Sequence, residues 1–148
     1  TEHIEHELKA WERHAGEPLF LDGEFVVGDG PDTLTDTKAW CASVYKLGGT
    51  AGRFNVFDGF AYDDWCRGGT DMPLHQRKAR LEQLALAVMS DEDHRWEWRP
   101  GSRGADCDQP VRMVPHQELW HVDDALVMVV EMWRAGLEGI VLKDAEAG

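Results

Sequence analysis

The chain has 148 residues, 43% of them hydrophobic, with seven tryptophans and a formal net charge of −13. That length suits one domain with a real core, and that composition excludes a disordered polar chain. The charge disfavours a freestanding binder of the phosphate backbone, because such affinity comes largely from Lys and Arg. No apolar run is long enough to span a bilayer. The opening Thr1-Glu2-His3-Ile4-Glu5-His6 carries neither a basic region nor a hydrophobic signal core. It lacks a starting methionine and falls within a helical pattern, so the sequence is expected to be processed, excised or incomplete. Cys41, Cys66 and Cys107 form no CxxC pair. Such an odd, widely spaced set predicts free thiols in a reducing, cytoplasmic setting.

Ile4, Leu8, Trp11 and Ala15 recur at helical spacing and predict an amphipathic helix over 4–15, stopped by Gly16 and Pro18. His3, His6 and Glu7 can share one face of it. Their spacing does not match H-E-x-x-H, and the face reads as solvated. Leu19 to Val27 predicts a strand, with Leu19, Leu21, Phe25 and Val27 on one face and Phe20, Asp22, Glu24 and Val26 on the other. Two acids on one face of a mostly apolar strand mean a wet face or a site. Gly28-Asp29-Gly30-Pro31 reads as a turn. Asp36 can cap a helix that carries Trp40, Val44 and Leu47 inward. The run Gly48-Gly49-Thr50-Ala51-Gly52 lacks the lysine of a Walker loop and reads as a flexible connection.

Arg53 to Tyr62 predicts an aromatic-rich strand. Phe54, Val56, Asp58 and Phe60 would share one face, and Asn55, Phe57, Gly59 and Ala61 the other. Phe57 beside the small Gly59 leaves room for a flat ligand, or else Phe57 is ordinary core. A polar loop leads to Pro73 in the first turn of a helix that runs to about Val88, with Leu74, Leu81, Leu84, Ala85 and Val88 inward. Trp96 and Trp98 alternate in a short strand, a loop spans Gly101 to Pro110, and Val111 to Val114 is another strand. Asp123 or Asp124 opens the last helix, with Met128, Val129, Met132 and Trp133 as core candidates and Gly136 as its stop. Ile140-Val141-Leu142 then reads as a short buried strand with Glu138 and Lys143 at its ends. Charges at the edge of a core need a partner, a metal or a phosphate. Strands alternate with helices throughout, so the class is mixed α/β or α+β.

Four segments stand in order: Leu21-Asp22-Gly23-Glu24; Asn55-Val56-Phe57-Asp58-Gly59-Phe60; Pro73-Leu74-His75-Gln76-Arg77-Lys78-Ala79-Arg80-Leu81; and Glu138-Gly139-Ile140-Val141-Leu142-Lys143. In that order they resemble the LDGE, FD, PL-x-x-R and EGxxxK motifs of the nucleotidyltransferase core of ATP-dependent DNA ligases, of the kind found in bacteria and phages. The resemblance spans essentially residues 1–148. It implies an α+β, antiparallel-rich, ATP-grasp-like adenylation domain, here its central part, with no oligonucleotide-binding barrel. The family's nucleophilic lysine lies in K-x-D-G. Lys9, Lys38, Lys46, Lys78 and Lys143 all lack that context, and the family's final lysine-rich strand is absent too.

The resemblance also implies a chemistry. Such ligases form lysyl-AMP from ATP, pass AMP to a 5′-phosphate at a nick, and seal the strand in replication, repair and recombination. Every step builds charge at phosphorus, which Mg²⁺ and lysines neutralise. Glu24 would hold the ribose hydroxyls or help a metal, and Phe57 would stack on adenine. Glu138 would bind Mg²⁺ or orient the nucleophile. Lys143 would lie near the phosphates, although five positions from Glu138 it falls on the other face of a regular strand. The implied partner is nicked duplex DNA, bound by a monomer with no membrane. An RNA ligase, an mRNA-capping guanylyltransferase, and a non-catalytic module that keeps the fold are the alternatives.

Overall fold

The computed structural model describes residues 1–28, 32–43, 52–91 and 110–148. Helix α1 spans Glu2–Ala15, strand β1 Leu19–Val26, helix α2 Thr33–Ala42 and strand β2 Arg53–Ala61. A short helix α3 follows at Tyr62–Cys66, then helix α4 at Leu74–Ser90, strand β3 at Val111–Met113 and helix α5 at Val122–Arg134. The fold is a small α+β arrangement around a three-stranded mixed sheet in the order β1-β2-β3. The long β1–β2 ladder is antiparallel and the short β2–β3 ladder is parallel. None of the described helices is long and apolar enough to cross a membrane.

Helix α1 forms because its apolar residues recur at helical spacing. It ends where Gly16 takes φ 74°, a left-handed conformation that glycine adopts without strain. Its buried stripe includes Ile4, Ala10 and Trp11, which join Val56 of β2, Leu81, Leu84 and Val88 of α4, and Val111 of β3 in one cluster. Leu19, Leu21, Phe25 and Phe54 pack against that cluster from β1 and β2. Of the inward set expected for α4, Leu74, Leu81, Leu84 and Val88 are buried and Ala85 is half-buried; Arg77, not expected there, is buried with them.

One irregularity decides how the sheet presents its side chains. The register pairs Asp22 with Asp58 but Gly23 with Val56, so Phe57 is an extra residue in β2. A bulge of this kind reverses the alternation beyond it. Phe54 and Val56 face the core, and so do Gly59 and Ala61 across from Leu21 and Leu19. Asp58 and Phe60 therefore do not share a face with Phe54 and Val56, as strict alternation predicts. Cross-strand partners share a face, so Asp58 and Phe60 lie with Asp22, Glu24, Asn55 and Phe20.

Other expectations need correcting. Asp32, not Asp36, is the residue before α2, and Asp36 falls in its first turn. Tyr62–Cys66 is a helix where a polar loop was expected, because Asp63 and Asp64 supply the acidic first turn that favours one. Pro73 precedes α4 instead of opening it. Trp133 is 63% exposed, not core. Ile140-Val141-Leu142 is not a buried strand: the segment makes no ladder, and Val141 is 82% exposed. Cys41 and Cys66 are exposed free thiols. The readings placed on Val44, Leu47, Gly48 to Ala51, Trp96, Trp98, Cys107 and most of Gly28 to Pro31 lie outside the described residues.

Candidate functional site

The polar face of the sheet is built from cross-strand pairs, Phe20 with Phe60, Asp22 with Asp58 and Glu24 with Asn55. At its aromatic end the Phe20 ring lies 5.4 Å from Phe60 and is stacked on Trp65 of α3 at 3.9 Å. At its centre Asp58 is buried, which no isolated carboxylate tolerates. Arg77, also buried, meets it with two parallel bonds: Nε donates to Oδ1 at 3.0 Å and Nη2 to Oδ2 at 2.9 Å. The Gly59 N–H adds a third donor to Oδ1 at 2.8 Å. Arg77 Nη1 donates to the carbonyls of Met72 and, at 3.1 Å, Ala147. The guanidinium carbon stands 5.9 Å from the Phe60 ring. Its planar fork suits this many fixed acceptors better than an ammonium would.

Arg77 reaches Asp58 because it occupies the buried face of α4 between Leu74 and Leu81. The next residue, Lys78, donates from Nζ to the carbonyl of Phe57, the bulged residue with no partner across the ladder. The bulge and the first turn of α4 thus fix each other. The C-terminal segment closes the same corner. The Leu74 and His75 N–H groups, free at a helix start, donate to Ala147 and Ala145 carbonyls at 3.0 and 3.1 Å.

The charges follow from these contacts. Burial alone would raise the Asp58 pKa, but the bonds from Arg77 and Gly59 and the positive charges of Arg77 and Lys143 outweigh it, and the net direction is down. Burial lowers the Lys78 pKa; Asp58 opposes this and Lys143 adds to it. Lys143 is therefore within electrostatic reach of both groups. The corner gathers Arg77, Lys78 and Lys143 around Asp58, and Glu82 also acts on Lys78.

The residues singled out from the sequence are only partly gathered here. Lys143 is exposed and belongs to the corner. Phe57 is half-buried at the bulge. The space expected beside it at Gly59 is filled, since a methyl added there would lie 2.5 Å from Leu21 Cδ2. Glu24 is exposed, with its carboxylate at 3.5 Å from Asn55 Nδ2. Glu138 is exposed after α5, where its carbonyl accepts a bond from the Trp133 indole at 3.0 Å. Exposed carboxylates suit Mg²⁺ carried in on phosphates, which needs one or two such ligands. No cluster of three metal-ligating side chains occurs among the described residues.

Two clefts accompany the site. One, about 240 Å³, lies between α1 and the sheet against Leu8, Glu12, Leu19, Leu21 and Phe54. The other, about 520 Å³, is lined by residues 67–71 and Gly148 at the end of the tail. Neither is lined by Glu24, Phe57, Glu138 or Lys143. The Asp58–Arg77 pair is what reading the sequence missed. Its signal was an acid within a mostly apolar strand and an arginine at i+3 from Leu74 and i−4 from Leu81.

On α1, His3 and Glu7 are buried rather than solvated. The His3 Nε2 lies 2.6 Å from the Gly52 carbonyl oxygen. Burial raises the Glu7 pKa to about 7. The Val111 backbone opposes this, as does the Trp11 indole, whose N–H falls short of full hydrogen-bond geometry.

The chain matches no family model and none of the curated proteins.

Proposed function

We propose that this chain forms nucleotide-pocket elements of an ATP-dependent DNA ligase of the bacterial and phage type. The observation that carries the reading is the convergence at Asp58. The LDGE strand pairs with the FD strand, the arginine of the PL-x-x-R helix grips the FD aspartate, and the lysine of EGIVLK lies within range of the same carboxylate. Segments more than a hundred positions apart in sequence thereby converge on Asp58, within an α+β fold. In this reading Lys143 meets the phosphates of ATP, Glu24 the ribose or Mg²⁺, Phe57 the adenine, and Glu138 the metal as the segment after α5 closes over the nucleotide. The sequence holds no lysine in K-x-D-G, so the reading covers the pocket and not the nucleophile.

The test is equilibrium titration of the chain with ATP and GTP in the presence of Mg²⁺. ATP binding that weakens about tenfold or more in Lys143→Ala and Glu24→Ala is expected, on the scale of one charge-assisted contact. Binding of neither nucleotide overturns the reading, and preference for GTP moves it to a capping guanylyltransferase. Intact-mass analysis after incubation with ATP and Mg²⁺ should show no adduct of AMP mass. An acid-stable adduct on any lysine would contradict the assignment of the nucleophile to K-x-D-G.

A further inference from the structure

Residues 137–143 join none of the described strands, so sheet pairing does not set where Lys143 stands. The turn that follows it is ordered by its own bonds. The Glu146 N–H donates to Asp144 Oδ1 at 2.9 Å, and the Ala147 N–H to the Asp144 carbonyl at 3.3 Å. That turn is seated on the start of α4, where the Leu74 N–H and Arg77 Nη1 donate to the Ala147 carbonyl. His75 holds the neighbouring carbonyl, Ala145, twice. Its backbone N–H donates to that oxygen at 3.1 Å, and its ring Nδ1 lies 3.1 Å from the same atom. A carbonyl only accepts, so Nδ1 carries the proton. The Glu146 Oε1 stands 3.4 Å from the same nitrogen. Ala145 is two positions from Lys143, which keeps their Cα atoms within about 7 Å. Two bonds to Ala145 from one residue therefore limit where Lys143 can be.

We propose that His75 is a positioning residue, which by holding the Ala145 carbonyl keeps Lys143 at the corner where the phosphates of ATP are read to bind. It touches no phosphate itself. The ligand rests on the ligase reading, and the clamp rests on the hydrogen bonds alone. Arg77 also reaches the turn, but its loss unseats Asp58 and would confuse the two effects. His75 is exposed, so it can be changed without opening the core. Asparagine carries an N–H donor at nearly the reach of Nδ1, and alanine carries none.

Two measurements on the 148-residue chain test this. The first needs no nucleotide. An N–H at a helix start has no partner within its helix, so slow hydrogen exchange of the Leu74 amide reports the seated turn. The amide should be protected in wild type and in His75→Asn. In His75→Ala it should exchange about fivefold faster, the scale of one neutral hydrogen bond. The second is titration with ATP and with inorganic tripolyphosphate, each with Mg²⁺. His75→Ala should weaken both about fivefold, because it acts through a phosphate contact, and His75→Asn should keep most of the affinity. Added to Lys143→Ala, His75→Ala should cost nothing further. A Leu74 amide unprotected in wild type, or equally protected in His75→Ala, overturns the clamp. So does an asparagine variant that behaves as the alanine one. Unchanged ATP affinity in His75→Ala, or a loss additive with that of Lys143→Ala, overturns the positioning role and leaves the ligase reading standing. If wild type binds neither ATP nor tripolyphosphate, the reading and the phosphate role fall together, and the Leu74 amide still decides the clamp.

Discussion

The two buried carboxylates among the described residues, Asp58 and Glu7, differ in what stands beside them. Asp58 faces a guanidinium held by a helix, and its pKa falls. Glu7 faces the Val111 backbone and an indole, and its pKa rises to about 7. Burial pushes both upward, so burial alone does not say which acid is ionised. What decides is whether the fold delivers a fixed cation. The sequence around Asp58 supplies one through the spacing of α4, whereas the face of α1 that carries Glu7 also carries Ile4 and Trp11 and is sunk into the core. One acid thus joins two motifs as an ion, and the other is kept as a neutral acid up to about neutral pH.

Removing the cation is the strongest way to break the contrast. Arg77→Met leaves Asp58 buried without its guanidinium, takes the donor from the Met72 carbonyl and leaves the Ala147 carbonyl with only the Leu74 N–H. It should destabilise the protein by about 3–5 kcal/mol, as loss of one partner of a buried pair does. Urea unfolding of the variant reads this directly. Arg77→Met combined with Asp58→Leu should recover most of the loss, because the penalty lies in the orphaned charge. A single variant as stable as wild type would mean that water reaches Asp58.

Glu7→Gln should act in the opposite sense. Glu7 has a folded pKa of about 7 against an ordinary 4.5. Between those values the unfolded chain releases a proton that the folded chain keeps, so stability falls as pH rises from 4.5 through 7. At pH 8 the penalty is fully present, roughly 3 kcal/mol by the usual 1.36 kcal/mol per unit. The glutamine variant escapes it, and should be more stable than wild type at pH 8 and similar to it below pH 4.5. Asp58 contributes with the other sign: its lowered pKa stabilises the fold above the ordinary aspartate value, and that stability is lost as pH falls through the folded value. The pH dependence of the urea midpoint should therefore keep its acid limb in Glu7→Gln and lose its decline toward neutral pH.

The bulge sharpens the comparison from the side of the backbone. Gly59 directly follows Asp58, and a methyl there would meet Leu21 Cδ2 at 2.5 Å and the Phe20 carbonyl oxygen at 2.9 Å. Gly59→Ala should cost about 1–3 kcal/mol, as overpacking does, and should loosen the Asp58 contact, visible as faster exchange of the backbone amide at position 59 than in wild type. A fully tolerated alanine would show that the strands can part there without disturbing the clamp.

Much of this was legible beforehand, in a specific way. The apolar spacing of α1, most of the inward set of α4 and the existence of the strands β1 and β2 follow from local periodicity, which a sequence displays directly; that the two strands pair does not. The face of Asp58 was not legible. It depends on one extra residue at Phe57, and a bulge leaves no mark in an alternation that reads smoothly on both sides. The short strand expected at Ile140 to Leu142 failed for a related reason: an aliphatic triplet states a preference for burial but not which edge will receive it. Of the site residues, Lys143 was drawn to the Asp58 corner. Glu24, Phe57 and Glu138 depend on relative placements that motif order does not contain.

The smallest effect expected is also the one that ties the corner to the proposed pocket. Lys143 is exposed, and its charge acts on Asp58 and Lys78 without any bond between them. An exposed charge is screened, so Lys143→Met should change stability by no more than about 0.5 kcal/mol. Its signature lies in titration. Lys143 helps to lower the pKa of Asp58, and it also helps to lower that of Lys78, since like charges disfavour each other. Removing it should move both midpoints upward, by a modest amount that shrinks as salt is added. Side-chain carboxyl and amine resonances followed by NMR measure the two shifts independently. An unchanged Asp58 midpoint with a shifted Lys78 midpoint would place Lys143 on the solvent side of α4, away from the sheet, and would remove it from the phosphate position proposed for it.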